Sequence, residues 1–358
     1  MSRVEPSELI TPEELRLATR NHGLPLEALA YDVTPVGLHY LLIHYDIPVV
    51  DPASWKLSVG GAVKRELELS IDDLRARPAV TQAVTMECAG NGRGHMAPRP
   101  VSQPWLVEAV GTAEWTGTPL RPLLEEAGIE DGAVEVLFSA LDRGIEGGLE
   151  QRYERSLPLE EALRDEVMLV YAVGGEPLPP QHGFPLRLVV PGWYGMTNVK
   201  WLERITVLKR PFEGYQNSWS YRLRQTPEDV GEPVSRMQPR ALMAPPGMPV
   251  FANRERQAGM GRHTITGRAW SGGGTIERVE VSDDGGDTWH DALLGPQVSR
   301  WGWRAWQWEW SPAAPGDYEL CCRATDSSGT CQPLEAPWNL HGFANNEIQR
   351  VPVTVTSA

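Results

Sequence analysis

A short apolar-alternating run that ends in a lone cysteine and a cluster of glycines constrains this chain more than any other stretch. Ala83-Val84-Thr85-Met86 reads as a buried strand. Glu87-Cys88-Ala89-Gly90-Asn91-Gly92-Arg93 follows it, with a further glycine at 94. Glycines let a turn bring backbone N–H groups and one thiolate against a bulky anion without Cβ clashes. A thiolate is a soft donor suited to a redox metal, and Arg93 sets a fixed positive charge five residues on. Taken alone, a cysteine at a strand end is more often an inert packed thiol. Gly-Asn-Gly-Arg-Gly also fits no nucleotide-binding loop.

The rest of the chain bounds the choice. Its 358 residues suit two domains, each with its own core, and 41% apolar content is that of a globular protein. A net charge of -14 without any Lys/Arg run argues against a nucleic-acid partner. No apolar stretch is long enough for a membrane span, so no membrane partner is expected. Met1-Ser2-Arg3-Val4-Glu5-Pro6-Ser7-Glu8 carries neither a twin-arginine signal nor an apolar core, which gives a cytoplasmic expectation for the sequence as written. Cys321, Cys322 and Cys331 lack paired Cys-x-x-Cys spacing and read as packed thiols rather than a zinc site.

Residues 11–30 read as a helix opened by Thr11-Pro12-Glu13-Glu14. From 36 to 210, strands and brief helices alternate without a regular βαβ beat. Strands are expected at 55–60, 134–141, 167–173 and between Pro185 and Pro191, and helices at 70–74 and 119–128. Residues 211–249 are rich in Pro, Arg, Gln and Ser and read as a linker or wrapping segment. Beyond them, alternating runs at 263–270, 276–282 and 317–324 are separated by Gly/Asp turns, as in an immunoglobulin-like sandwich. The expected architecture is α+β over 1–229, then an all-β sandwich over 230–358. Trp306, Trp308 and Trp310 alternate, share a sheet face, and fill the sandwich core or a subunit interface rather than a sugar platform.

The cysteine segment resembles the molybdenum-ligand segment of the sulfite oxidase family. His182-Gly183-Phe184-Pro185-Leu186-Arg187, Val199-Lys200-Trp201 and Trp338-Asn339-Leu340-His341-Gly342 resemble later landmarks of that family, in order. The resemblance implies a molybdopterin-binding α+β domain and an immunoglobulin-like domain through which two subunits form a homodimer. It implies molybdenum held by the dithiolene of molybdopterin and by the Cys88 thiolate. Arg187 and Lys200 would meet the cofactor's phosphate, with His182, His44 and Asp142 also on the cofactor. Tyr153 matches the active-site phenol, Trp105 a pocket tryptophan, and Arg93 an anion-binding arginine.

The chain departs from that pattern on the substrate side. Two further arginine positions hold Leu42 and His341, and a cofactor-side arginine position holds Thr197. Arg20-Asn21-His22-Gly23 resembles the missing motif but lies too far upstream. Each lost charge-assisted bond to a dianion costs about 1.5–3 kcal/mol. His341, if protonated in the usual histidine range, could stand in for one arginine. The expected activity is oxygen transfer to sulfite or a related small sulfur compound. With no Cys-x-x-Cys-His haem motif, electrons would leave to a separate cytochrome or to dioxygen. A sulfoxide-type reductase, a cofactor-free binding module, and a cysteine hydrolase built on Cys88 with His95 are the competing readings.

Overall fold

A computed structural model describes residues 10–357; the N-terminal segment read for a signal, residues 1–8, lies wholly outside them. Helices are few and short, and each begins for a local reason. Pro12–Ala18 and Ile71–Arg75 open on complete capping boxes, Thr11 with Glu14 and Ser70 with Asp73. Leu120–Ala127 packs four buried residues inward and stops at Gly128. The helix expected to run to residue 30 ends at Ala18, and a separate 3-10 turn spans Leu26–Ala30. Gly23 and Pro25 break it, because proline lacks an N–H and restrains Leu24 before it.

Two sheets build the first domain. One has five strands in the order Leu67–Leu69, Leu57–Gly61, Leu202–Leu208, Glu135–Glu146 and Leu149–Pro158. Only Leu57–Gly61 and Leu202–Leu208 run parallel in it. The other sheet joins Val80–Glu87, Val110–Pro119, Met168–Val173 and Glu176–Pro177, with Arg187–Val189 also paired to Met168–Val173. The first core gathers Leu57, Leu123, Phe138 and Ile205. A second, around Val84, Met86, Trp115 and Val189, lies directly under the cysteine-bearing strand.

The C-terminal domain is a sandwich of a four-stranded and a six-stranded sheet. Trp306 and Trp310 are buried in its core beside Ile265, Val281 and Val353, with Trp308 packed partly against it. Trp303 instead packs between the domains, donating its indole N–H to the Asp32 carbonyl at 2.7 Å. The tryptophans are therefore covered within the subunit, which removes them as an argument for a subunit interface.

The segment expected to be a linker is more structured than its composition suggests. Arg240–Met243 is a fully buried edge strand of the four-stranded sheet. An alternation test misses it because both faces are covered, and because its leading arginine is neutralised: Arg240 meets Glu87 at 3.0 Å. The expected division at residue 230 falls in the turn of a two-stranded ribbon, Arg222–Leu223 with Glu232–Pro233. A third core, containing Ala89, Tyr221, Leu242, Trp270 and Phe343, draws on both domains and joins them around the cysteine turn.

Candidate active site

Val80–Glu87 delivers Cys88 to the mouth of a cavity, and the turn after it is held from both domains. The Cys88 N–H donates to the Ala109 carbonyl at 2.9 Å, and the Asn91 N–H donates back to the Cys88 carbonyl at 3.0 Å. Gly92 has φ +90°, and a Cβ there would press on Asn345. Asn345 in turn donates its amide to the Gly92 carbonyl at 2.8 Å. At Gly90 a Cβ would sit 2.6 Å from the Arg93 guanidinium, so this glycine lets Arg93 fold back under the turn. Glu87, one residue before the cysteine, is bolted by Arg240, the Asn91 amide and the Trp270 indole.

The cavity brings together His44, Cys88, Asp142, Tyr153, His182, Arg187 and Lys200, along with Leu42. Seven expected site residues from five separate stretches of chain thus share one wall. His182 sits in a 3-10 turn between prolines and a glycine. Asp142 lies where the pairing of Glu135–Glu146 with Leu149–Pro158 slips register between Ser139 and Arg143, which re-aims its side chain. Tyr153 donates its hydroxyl to the Met196 carbonyl at 2.6 Å. His44 packs edge-on against Tyr153 at 5.1 Å and meets Glu146 at 2.9 Å.

Two cations on this wall, Arg187 and Lys200, lack an ion-pair partner among the described residues. Arg187 is buried, places its guanidinium 4.6 Å from the Trp115 ring, and spends its bonds on the His182 and Asn198 carbonyls and on Met86 sulfur. Lys200 donates to the Leu42 and Gln181 carbonyls, at 2.8 and 3.0 Å, and lies over the Trp201 ring at 4.4 Å. Among the described residues neither cation has a carboxylate in ion-pair contact. Burial, then neighbouring cations, pushes Lys200 down to about 7 and His182 to about 2. Burial holds Arg187 at about 10. Asp142 is pushed up to about 6 by burial, against the pull of His44 and Lys200. Burial also raises the Cys88 thiol, while Arg93, the Gly90 N–H and the Trp105 indole favour its thiolate.

These residues fit a phosphate-bearing pterin with a metal. Arg187 Nε, His39 Nε2 and Thr197 Oγ1 are buried polar atoms with no partner, and lone buried cations call for an anion. Among the described residues no group of three or more His, Cys, Asp or Glu gathers as a metal site. A metal bound at Cys88 would therefore need donors from a second ligand.

Arg93, Trp105 and His341 do not line this cavity; Arg93 and His341 gather at Phe343, which stacks on Tyr221, and the Trp105 indole bears on the Cys88 thiol. Arg93 donates Nε to the His341 carbonyl at 2.7 Å and Nη1 to the Gln103 carbonyl at 3.2 Å. His341 is driven down to about 4 by burial, then by Arg93 and Arg224. It is neutral through the usual histidine range, which corrects the expectation that it could act there as a cation. Arg20 is tied on the surface to the Tyr45 carbonyl and Asp46. His95 lines a different cleft, of about 880 Å³, so no Cys88–His95 pair forms in this cavity. Sequence reasoning missed His39 and Tyr221, which sit in irregular stretches with no motif around them, and Asn198, which adjoins the Val199-Lys200-Trp201 landmark.

Comparison with known proteins agrees with this geometry. Residues 44–216 match the oxidoreductase molybdopterin binding domain, and residues 251–356 match the Mo-co oxidoreductase dimerisation domain. Chicken sulfite oxidase is 36% identical over 91% of this chain and 74% of its own length. The chain belongs to the sulfite oxidase family. Human mitochondrial sulfite oxidase is 37% identical over 90% of the chain, which spans 62% of that relative. A rice NADH nitrate reductase is 33% identical, with 41% of its length covered. The solved structure of the sulfane dehydrogenase SoxCD from Paracoccus pantotrophus superimposes with a TM-score of 0.80 at 25% identity, covering 100% of this chain and 95% of that one. Family membership implies the molybdenum cofactor, molybdopterin with its metal, for the site at Cys88.

Proposed function

We propose that this chain is a molybdenum-cofactor oxidoreductase that transfers an oxygen atom to sulfite or a related sulfur compound. One observation carries the reading: a single thiol, Cys88, shares a cavity with two buried cations, Arg187 and Lys200, that meet no carboxylate in an ion pair among the described residues. Arg187 and Lys200 would hold the cofactor's phosphate, with His182 and Asp142 on its polar pterin. When bound, the molybdenum supplies two-electron redox chemistry and oxygen-atom exchange. The remaining work belongs to side chains.

Cys88 would be the one protein donor to the metal, held by the clamped turn. Burial keeps the Tyr153 hydroxyl protonated across the working range, with its proton donated to the Met196 carbonyl, so its oxygen is left to accept a hydrogen bond in the cavity. His44, packed on Tyr153, passes to Glu146, which also accepts from Tyr45 at 2.8 Å and is part-exposed. The hydrogen-bonded part of this series, His44 to Glu146, runs from the cavity wall to a part-exposed carboxylate that can take up or release a proton. Electrons would go to a separate acceptor, a cytochrome or dioxygen.

Leu42 in the cavity wall and a neutral His341 favour a second reading, reduction of an uncharged sulfoxide at the same site. A homodimer through the sandwich domain is supported by the match to a dimerisation domain, and by Met248 and Phe251, which stand 74% and 94% exposed on its surface. Sedimentation at micromolar concentration should show a dimer; a monomer would refute it.

The test of function is metal and pterin analysis together with turnover using an artificial acceptor. Native protein should carry one molybdenum per chain. Cys88→Ser should fold, lose one sulfur from the metal's X-ray absorption shell, and turn over sulfite far more slowly. An unchanged sulfur count would refute the assignment of Cys88.

A further inference from the structure

The substrate side of the site holds more positive charge than the motif positions supply. Arg155 and Arg224 are each only 3% exposed. Arg155 donates to the Gln216 carbonyl and sits over the Tyr221 ring at 5.4 Å. Arg224 donates to the Ser218 carbonyl at 3.1 Å and sits over the Trp219 ring at 4.1 Å. Among the described residues neither has a carboxylate in ion-pair contact, and the Nε of each has no hydrogen-bond partner, a feature shared with Arg240, so the missing acid is what sets them apart. Arg240 and Arg268, equally buried, each meet an acid, Glu87 and Asp32. Two more lone buried cations are thus unexplained by the fold.

Their placement is not random. Arg155 follows Tyr153 by two residues on one strand, so both side chains leave the same sheet face. Tyr221, which lines the cavity with Cys88, stacks on Phe343 at 5.0 Å. Arg93 lies over that same Phe343 ring at 5.2 Å, and His341 is 5.7 Å from it. Arg155 therefore backs Tyr221 and Arg93 backs Phe343, while Arg224 bears electrostatically on His341 beside them. Glu146 also faces this group, but it is engaged by His44, Tyr45 and Gln216.

We propose that Arg155 and Arg224 are specificity-determining residues that supply, through the tyrosine wall, the oxyanion-attracting charge that Leu42 and His341 do not. Their guanidinium groups do not line the cavity, so both act on a bound oxyanion by field, and Arg155 also by holding Tyr221, not by direct contact. Buried charges are poorly screened, so an anion one side chain away still feels them. Burial without a counter-ion is costly unless a ligand completes the balance. The side chains that are neutral at the motif positions are in this way offset by cations placed one layer back.

The inference rests on the reading of the cavity as a sulfur-substrate site, and the test separates the two. Sulfate is titrated calorimetrically into the cofactor-loaded protein, and sulfite kinetics are run alongside, for Arg155→Met, Arg224→Met, Arg155→Lys and Arg224→Lys. Each methionine variant should weaken sulfate binding and raise the sulfite KM about tenfold, with kcat changed less than about threefold. The lysine variants, which keep the charge, should recover most of the affinity. Binding of uncharged dimethyl sulfoxide should not change. Lysine variants as weak as methionine ones, equal loss of dimethyl sulfoxide binding, or methionine variants with native sulfate affinity would each overturn the proposal. If the methionine variants do not fold, Arg155→Gln and Arg224→Gln replace them in the same titration. Native protein that binds no sulfate also overturns it, whereas absence of molybdenum and pterin would overturn the reading of the site instead.

Discussion

Two buried arginines a short way apart are treated oppositely. Arg240, 1% exposed, sits at the domain junction against Glu87, and the same carboxylate takes the Asn91 amide and the Trp270 indole. Arg187, 5% exposed, sits in the cavity wall with carbonyls, a thioether and an aromatic face, and no acid. The junction has its charge balanced within the chain, although Arg240 Nε and Nη2 find no hydrogen-bond partner among the described residues, and it holds the Cys88 turn from the second domain. The wall is incomplete within the chain, and its missing partner has the chemistry of a phosphate. An ion pair closed by the protein marks architecture here, and one left open marks a binding site.

The largest effect should come from breaking the closed pair. Arg240→Met or Glu87→Gln leaves one buried, hydrogen-bonded partner alone and should cost about 3–5 kcal/mol in chemical denaturation. Arg187→Met in cofactor-free protein should cost far less or stabilise, because it removes a charge that burial already disfavours. Equal losses at both positions would erase the contrast.

A pH series sharpens it. The folded value of Lys200, about 7, lies below its ordinary 10.5, so the unfolded chain binds that proton more tightly. Between those values the unfolded state carries more protons, and the stability of cofactor-free protein should therefore climb as pH rises from about 7 to 10.5. Bound cofactor should restore the Lys200 proton and flatten that slope, and a Lys200→Met variant should lack it. Thermal midpoints across the range, with and without cofactor, read this directly.

Smaller effects are expected on the substrate side. Leu42→Arg adds a cation to the cavity wall and should lower the apparent sulfite KM by about tenfold, with a gain only partly lost at high salt. His341→Gln should leave the pH profile of sulfite turnover unchanged between pH 6 and 8. Its imidazole is held neutral down to about 4, so any gain from protonation belongs below that window.

Much of the site was legible because its chemistry is carried by short runs. The strand, thiol and glycine turn around Cys88 could be read from spacing, and resemblance to a family located His182, Arg187 and Lys200. What escaped was set by tertiary placement. Arg240 looked like linker composition because its neutralising partner, Glu87, lies 153 residues away. Tyr221 and His39 reach the cavity from irregular backbone, where no periodicity marks a facing side. Arg155 was within reach, since strand alternation puts it on the same face as Tyr153. The fate of His341 was not, because its burial beside Arg93 and Arg224 exists only in the fold.

The central claim is that Arg187 and Lys200 are left unpaired in order to hold the cofactor's phosphate. Molybdenum and released pterin per chain, measured on purified native protein, Arg187→Met, Lys200→Met and Arg240→Met, test it most directly. Native protein should carry one of each. The two cavity variants should fold with native far-ultraviolet circular dichroism yet lose most of both. Any Arg240→Met protein that stays folded should keep them. Folded Arg187→Met and Lys200→Met proteins with a full complement of molybdenum and pterin would contradict the account.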